Sequence, residues 1–286
     1  ERAEGAHISD VDGNTYVDLC LGDTGAMTGH SPGPSVRAIA DRAARGISMM
    51  LPTEDAAWVG QEMGRRFGLP HWQFATSATD ANRFALRIAR AVTGRPKVLV
   101  FNWCYHGTVD ETLVTLQPDG TLRAREGHIG PPVDPALTTS VVEFNDLDAL
   151  ERALATGEIA CVLAEPAMTN IGIIHPDPGY HAALRDLTRR TGTLLIIDET
   201  HTISSGPGGY TAAHGLQPIA GPVSFLAHVP AAVDDSLARV RAAFEASLTA
   251  MATISEYSAV PADVLRRGQL RSFTLHPGER RAVKAA

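Results

Sequence analysis

Between residues 72 and 200 the apolar positions come in two alternating kinds of run. Lys97-Val-Leu-Val-Phe101, Thr139-Ser-Val-Val-Glu-Phe144, Ile159-Ala-Cys-Val-Leu-Ala164 and Thr193-Leu-Leu-Ile-Ile197 are short and rich in branched aliphatics. That is the signature of strands buried on both faces, as in a parallel sheet. The intervening stretches repeat apolar residues at helical spacing: Phe84, Ala85, Ile88, Ala89 and Val92 after Ser77, then Asp146 to Thr156, then Pro178 to Arg190. Trp72-Gln-Phe-Ala-Thr76 reads as one more strand ahead of the first of these helices. The alternation predicts an α/β fold, a mostly parallel sheet with helices on both faces. Upstream, His7 to Asp18 reads as a β-hairpin around Asp12-Gly-Asn14, followed by a Gly-rich loop from Leu21 to Pro34. A short helix over Val36–Arg45 and another over Asp55–Phe67, stopped by Gly68-Leu-Pro70, complete that half. Residues 117–138 form a polar excursion rich in glycine and proline.

Ligands of open α/β sheets bind at the carboxyl ends of the strands. The polar residues there are therefore the candidate chemistry. Asp198 ends the run Thr193–Ile197, with His201 three residues on; Glu165 ends the strand before it; Tyr105 and His106 follow the strand Lys97–Phe101. A carboxylate at the end of a core strand needs a partner, because an unpaired buried charge is costly. Ser77, Thr79 and Asp80 open the helix after residue 76. Such a start either caps the helix or, through its free N–H groups and dipole, holds a phosphate. Tyr105 and His106 read either as a platform for a planar ligand or as a packed loop.

Composition narrows the classes. Over 286 residues, 44% hydrophobic and 20% charged is ordinary for a globular chain with a real core. A net charge of −7 argues against a nucleic-acid partner, and no apolar run approaches the ~18 residues a membrane span needs. The 11 histidines are scattered, with neither HxH nor HExxH, so no metal site is expected. Cys20, Cys104 and Cys161 are widely spaced, and the chain opens Glu1-Arg-Ala-Glu with no signal-like apolar segment. Both features predict reduced thiols in a cytoplasmic protein. Among 25 basic residues only Lys97 and Lys284 are lysines.

Taken together, Gly29-His-Ser-Pro32, Ser77-Ala-Thr-Asp-Ala-Asn82, Tyr105-His-Gly107, Glu165-Pro166 and Leu194-Leu-Ile-Ile-Asp-Glu199 resemble the class III pyridoxal-phosphate aminotransferases. That group contains glutamate-1-semialdehyde aminomutase and the ω- and β-amino-acid transaminases. The likeness runs from Glu1 to about Gln217 and implies a fold-type I transferase that uses pyridoxal 5'-phosphate. The reaction implied moves an amino group between an amino acid or amine and a keto acid or aldehyde, in a homodimer. By the same resemblance Ser77, Ala78 and Thr79 would hold the cofactor phosphate and Tyr105 would stack on the ring, with His106 beside it. Asp198 would pair with the ring nitrogen, with Glu165 and His201 in support. Residues 1–50 would be an N-terminal hairpin and loop segment and 51–218 the cofactor-binding domain. Residues 219–286 would be a remnant of a small C-terminal domain plus a tail, with a closing strand from Pro222 and an amphipathic helix to Leu248, whereas Gly268–Phe273 is similar to the segment that normally precedes the first hairpin.

One family feature has no counterpart. The lysine that would hold the cofactor aldehyde as a Schiff base, shortly after the Asp-Glu pair, is not there: the chain runs Gly215-Leu-Gln-Pro and reaches no lysine before Lys284. Lys97 sits at the wrong end of its strand for that role. Three arrangements are consistent with this: joined pieces of a longer enzyme, a rearranged chain, or a partner that supplies the rest. The alternative function is then a catalytically inactive aminotransferase-fold protein that holds the cofactor non-covalently or acts as a binding partner.

Overall fold

A computed structural model describes residues 1–47, 53–69 and 71–216, together with the backbone of the strands Asp263–Arg266 and Gln269–Ser272. The core is a four-stranded parallel sheet formed by β4 (Lys97–Phe101), β7 (Thr139–Val142), β8 (Ile159–Ala164) and β9 (Leu194–Ile197), in the order β7-β4-β8-β9. All six residues of β8 are buried, so both faces of the sheet are covered there.

The crossovers β7-α4-β8, through α4 (Leu147–Leu154), and β8-α5-β9, through α5 (Tyr180–Thr191), step the same way across the sheet. Right-handed connections then put both helices on one face, where they pack on each other. Helix α3 (Ala78–Thr93) lies against β8 and presents Ala85, Leu86 and Ala89 to the same core. Phe101, Phe144 and Tyr180 meet at the α5 side, with ring centroids 5.2 Å apart for Phe101–Phe144 and 4.9 Å for Phe144–Tyr180. At the amino end of the sheet Arg95 donates to Ile159 O (3.0 Å) and Thr191 O (2.8 Å), tying β8 to the turn before β9.

The hairpin read from the sequence is part of a three-stranded antiparallel sheet, β1 (Arg2–Glu4), β2 (His7–Ser9) and β3 (Thr15–Val17). Asp10 holds its turn, accepting from the backbone N–H groups of Asp12 and Asn14 and from the Tyr16 hydroxyl. Helices α1 (Gly33–Arg45) and α2 (Glu54–Phe67) lie where the periodicity puts them, α2 ending on Gly68 at φ 73°.

Two readings change. Trp72–Thr76 is not a strand: the segment joins no sheet among the described residues. Trp72 turns instead onto α2, donating to Leu69 O at 2.8 Å and packing 5.9 Å from the Phe67 ring. The aromatic content that suggests a strand serves a small cluster of Val59, Met63, Phe67, Trp72 and Phe74. The excursion over 117–138 is more ordered than its composition implies, because β5 (Val114–Leu116) and β6 (Leu122–Ala124) form a hairpin at its start. Asp263–Arg266 and Gln269–Ser272 pair antiparallel as β10 and β11. The closing strand from Pro222 and the helix to Leu248 lie outside the described residues.

Leu163 is fully buried at the centre of β8, whereas Ile88 on α3 is 54% exposed. Leu163→Ala is expected to lower the unfolding free energy by about 3 kcal/mol in urea, and Ile88→Ala by less than about 0.5 kcal/mol. Equal losses would contradict this placement of the core.

Candidate active site

Asp198 is the hub of the carboxyl rim. Its backbone N–H still donates to Ala164 O (2.8 Å), so the parallel ladder carries it to the edge of the sheet before the chain turns away. The carboxylate is 4% exposed. One oxygen accepts from Asn82 Nδ2 (2.9 Å) and from His106 Nδ1 (2.8 Å); the other accepts from the N–H (3.0 Å) and the hydroxyl of Thr200. Burial opposes its charge, but the His106, Thr200 and Asn82 contacts outweigh that and hold the carboxyl down at about 2. His106 is completely buried, which disfavours its charge. The neighbouring Cys104 sulfur and the Asp198 carboxylate nevertheless raise its pKa well above the usual 6.5. The two form a buried ion pair, and Asn82 pins the loop by donating also to His106 O at 3.2 Å.

The start of α3 stands beside this pair. Ser77 is the N-cap: its hydroxyl accepts from Asp80 N (3.1 Å) and donates to Asp80 Oδ2 (2.9 Å). As in any helix, the first N–H groups, including those of Ala78 and Thr79, have no partner within the helix itself. Thr79 Oγ1 accepts from Thr108 N at 3.1 Å, docking the loop after β4 onto the helix start. Gly107 permits this close approach: it sits at φ 79°, and a Cβ there would run into the Thr79 side chain. Tyr105, 44% exposed, leaves its ring open at the rim.

A second chain of contacts begins at Glu165, which caps β8 and is 6% exposed. Its Oε2 accepts from the N–H (3.1 Å) and the hydroxyl (2.7 Å) of Thr169, and the same hydroxyl lies 2.6 Å from His201 Nδ1. Oε1 is buried with no hydrogen-bond partner among the described residues. Burial pushes the Glu165 carboxyl above its usual range, partly offset by the nearby His106 charge and by Thr169.

The rim thus gathers the residues that the resemblance assigns to the cofactor: Ser77, Ala78 and Thr79 at the start of α3, Tyr105 and His106 after β4, Glu165 after β8, and Asp198 and His201 after β9. Sequence reasoning missed Asn82, Thr169 and Thr200 as partners. Asn82 does leave a readable signal, since it is the one polar member of the buried set Asn82, Ala85, Leu86 and Ala89, and a buried amide needs a hydrogen bond. Thr169 leaves none, because only the fold brings it beside His201. The second acid of the strand-end pair, Glu199, faces away from this chemistry. It accepts from Tyr210 N (2.7 Å), Thr211 N (3.0 Å) and the Thr211 hydroxyl, capping the short helix α6 (Gly209–Ala213). Lys97 lies at the amino end of β4, paired with Glu158 at 2.8 Å.

A parallel sheet with an aspartate buried at the end of one strand and a hydroxyl-capped helix start beside it is the architecture of a fold-type I pyridoxal-phosphate-dependent transferase. Within that class, the chain belongs to the class-III aminotransferases, whose family model, "Aminotransferase class-III", matches residues 1–220. A glutamate-1-semialdehyde 2,1-aminomutase from Chloroflexus aggregans is 39% identical over 224 residues, which cover 76% of this chain and 51% of that protein. Among solved structures, a glutamate-1-semialdehyde aminomutase from Pseudomonas aeruginosa PAO1 superposes with a TM-score of 0.74 at 58% identity, over 76% of this chain and 48% of its own. That structure is of a lysine-to-alanine variant in complex with PMP. An omega-transaminase from Sphaerobacter thermophilus gives a TM-score of 0.71 at 32% identity, over 76% of this chain and 52% of its own. The chain therefore spans about half the length of the relatives it matches.

The ion pair fixes a pH signature. Asp198 is lowered from 3.8 to about 2 on folding, so its stabilisation is complete at neutral pH and drains away as pH falls through that interval. His106 is raised, so its share is complete below about 6.5 and is lost only as pH rises through its folded pKa. Urea unfolding of the chain and of Asp198→Asn should therefore differ by about 2 kcal/mol or more between roughly pH 5 and 6.5. The gap should close below about pH 4. A gap unchanged near pH 3 would contradict the pairing.

Proposed function

We propose that this chain forms the cofactor-binding part of a pyridoxal-phosphate-dependent aminotransferase or aminomutase. The reaction moves an amino group between an amino acid or amine and a keto acid or aldehyde. The observation that carries the reading is Asp198: a carboxylate buried at a strand end and kept ionised by four donors, beside a helix start suited to a phosphate. When bound, pyridoxal phosphate supplies the electron sink that loosens bonds at the substrate carbon. The residues present fit it. Asp198 holds a proton on the ring nitrogen, and His106 and Asn82 keep Asp198 ionised and oriented. Ala78 and Thr79 offer N–H groups to the phosphate, with Ser77 fixing the turn. Tyr105 offers an exposed ring to stack on, and Glu165 keeps one buried oxygen, Oε1, without a partner among the described residues.

The same reading divides the chain into an N-terminal hairpin segment (1–50), a cofactor domain (51–218) and part of a small C-terminal domain (219–286). It also takes the protein to be a cytoplasmic homodimer. Free thiols at Cys20, Cys104 and Cys161 support a reducing compartment. Support for the dimer is the stripe Phe84, Ile88 and Val92, spaced one turn apart on α3 and 46%, 54% and 70% exposed.

A second reading, a catalytically inactive protein that holds the cofactor without a covalent bond, is favoured by the lysine count. Lys97 is committed to Glu158 at the far end of the sheet, and Lys284 is the only other lysine. One experiment tests both readings. The chain is saturated with pyridoxal phosphate, treated with borohydride and weighed intact after gel filtration. Bound cofactor with the mass still 30.4 kDa supports non-covalent retention by the cradle. A pyridoxyl adduct mapped to Lys284 assigns the covalent role to that residue and supports the enzyme. Failure to retain cofactor overturns both.

A further inference from the structure

The hydrogen bonds around Thr169 fix where a proton sits. A threonine hydroxyl has one hydrogen to give. Thr169 Oγ1 donates it to Glu165 Oε2 at 2.7 Å, and the same oxygen takes the Thr169 N–H at 3.1 Å. Toward His201 Nδ1, 2.6 Å away, Oγ1 therefore has only lone pairs left, and the bond between them requires that Nδ1 carry the hydrogen. The neutral imidazole is then the Nδ1–H tautomer, and its Nε2, which has no protein partner among the described residues, is left as an acceptor. The arrangement belongs to the ionised carboxylate, since an acid hydrogen on Oε2 would be given to Thr169 Oγ1 and would reverse both bonds.

We infer that Thr169 is a positioning residue that locks His201 in the Nδ1–H tautomer and links it to Glu165, so that His201 Nε2 is the proton acceptor offered at the rim. The ligand it suits presents an N–H or O–H group, as an amino substrate or its aminated cofactor does; this assignment of the ligand rests on the function proposed above. The proton path balances without an outside reagent. As Nε2 takes a proton from the ligand, the Nδ1 hydrogen passes to Thr169 Oγ1, the Thr169 hydrogen passes to Glu165, and Glu165 ends as the neutral acid. Burial, which favours the protonated form of Glu165, eases that last transfer. The role falls to a histidine in a chain with no lysine between Lys97 and Lys284.

The test needs no cofactor. Two-bond proton–nitrogen correlation spectra of the chain labelled with 15N-histidine, at a pH where the ring is neutral, report the tautomer, and His201→Gln identifies the signal. Wild type and Thr169→Ser are expected to show Nδ1 carrying the hydrogen. Thr169→Val should revert His201 to the Nε2–H form that free histidine prefers. An Nε2–H signal in the wild type, or a Thr169→Val spectrum unchanged from it, overturns the lock. The wild-type and serine spectra decide the matter even if the valine variant does not fold. Binding of pyridoxamine phosphate, followed separately, shows whether the acceptor meets a ligand. Addition of that ligand should shift the His201 Nε2 resonance in the wild type. A bound ligand that leaves it unmoved removes the acceptor role, and a ligand that fails to bind counts against the proposed function while the tautomer result stands.

Discussion

A carboxylate cannot be buried cheaply unless it is paired, and the carboxyl rim of this sheet is arranged around meeting that demand for Asp198. Its partners come from three separate elements: Asn82 from α3, His106 from the loop after β4, and Thr200 from the turn after β9. Each must be in place for the charge to be tolerated, so the carboxylate dictates how α3 and the β4 loop dock on the sheet. The same docking brings Gly107 against Thr79 and leaves the Tyr105 ring open. A requirement of folding thus assembles the surface a cofactor would use.

Strand order explains why these groups share one edge. In a parallel sheet every strand ends at the same rim, so β4, β8 and β9 deliver His106, Glu165 and Asp198 side by side although up to 92 residues separate His106 from Asp198. The amino rim is different in kind. There Arg95 and the Lys97–Glu158 pair close the sheet with contacts to backbone carbonyls and to one another. Lys97 is held away from the chemistry by the direction of its own strand.

Much of this was legible in the sequence, for reasons that can be named. β4, β8 and β9 are short runs, apolar but for Lys97 at the start of β4, and the residues that follow them lie where parallel sheets place function. The Ser77 cap was readable from residue type, and the family resemblance singled out polar residues that the fold brings to one rim. Trp72–Thr76 misled because aromatic density suits a strand and a helix-packing segment equally well; only the contact with Phe67 separates them. The hairpin at Val114–Ala124 was hidden by the glycine and proline of its surroundings. Thr169 stayed invisible because its importance lies in a contact with His201, 32 residues away. Glu199 shows the converse. It stands next to Asp198 in sequence and looks equally chemical, yet it is wholly occupied in capping α6.

The central claim is that Asp198 is the anchor of a cofactor site and more than a structural charge. The direct measurement is the dissociation constant of pyridoxamine phosphate for the chain and for Asp198→Asn, with circular dichroism to confirm that the variant is folded. The account predicts saturable binding that the substitution weakens by about thirty-fold or more, ~2 kcal/mol, because the pyridinium loses its counter-charge. Equal affinity in a folded variant would contradict it, and would leave Asp198 as a structural ion-pair partner of His106 alone.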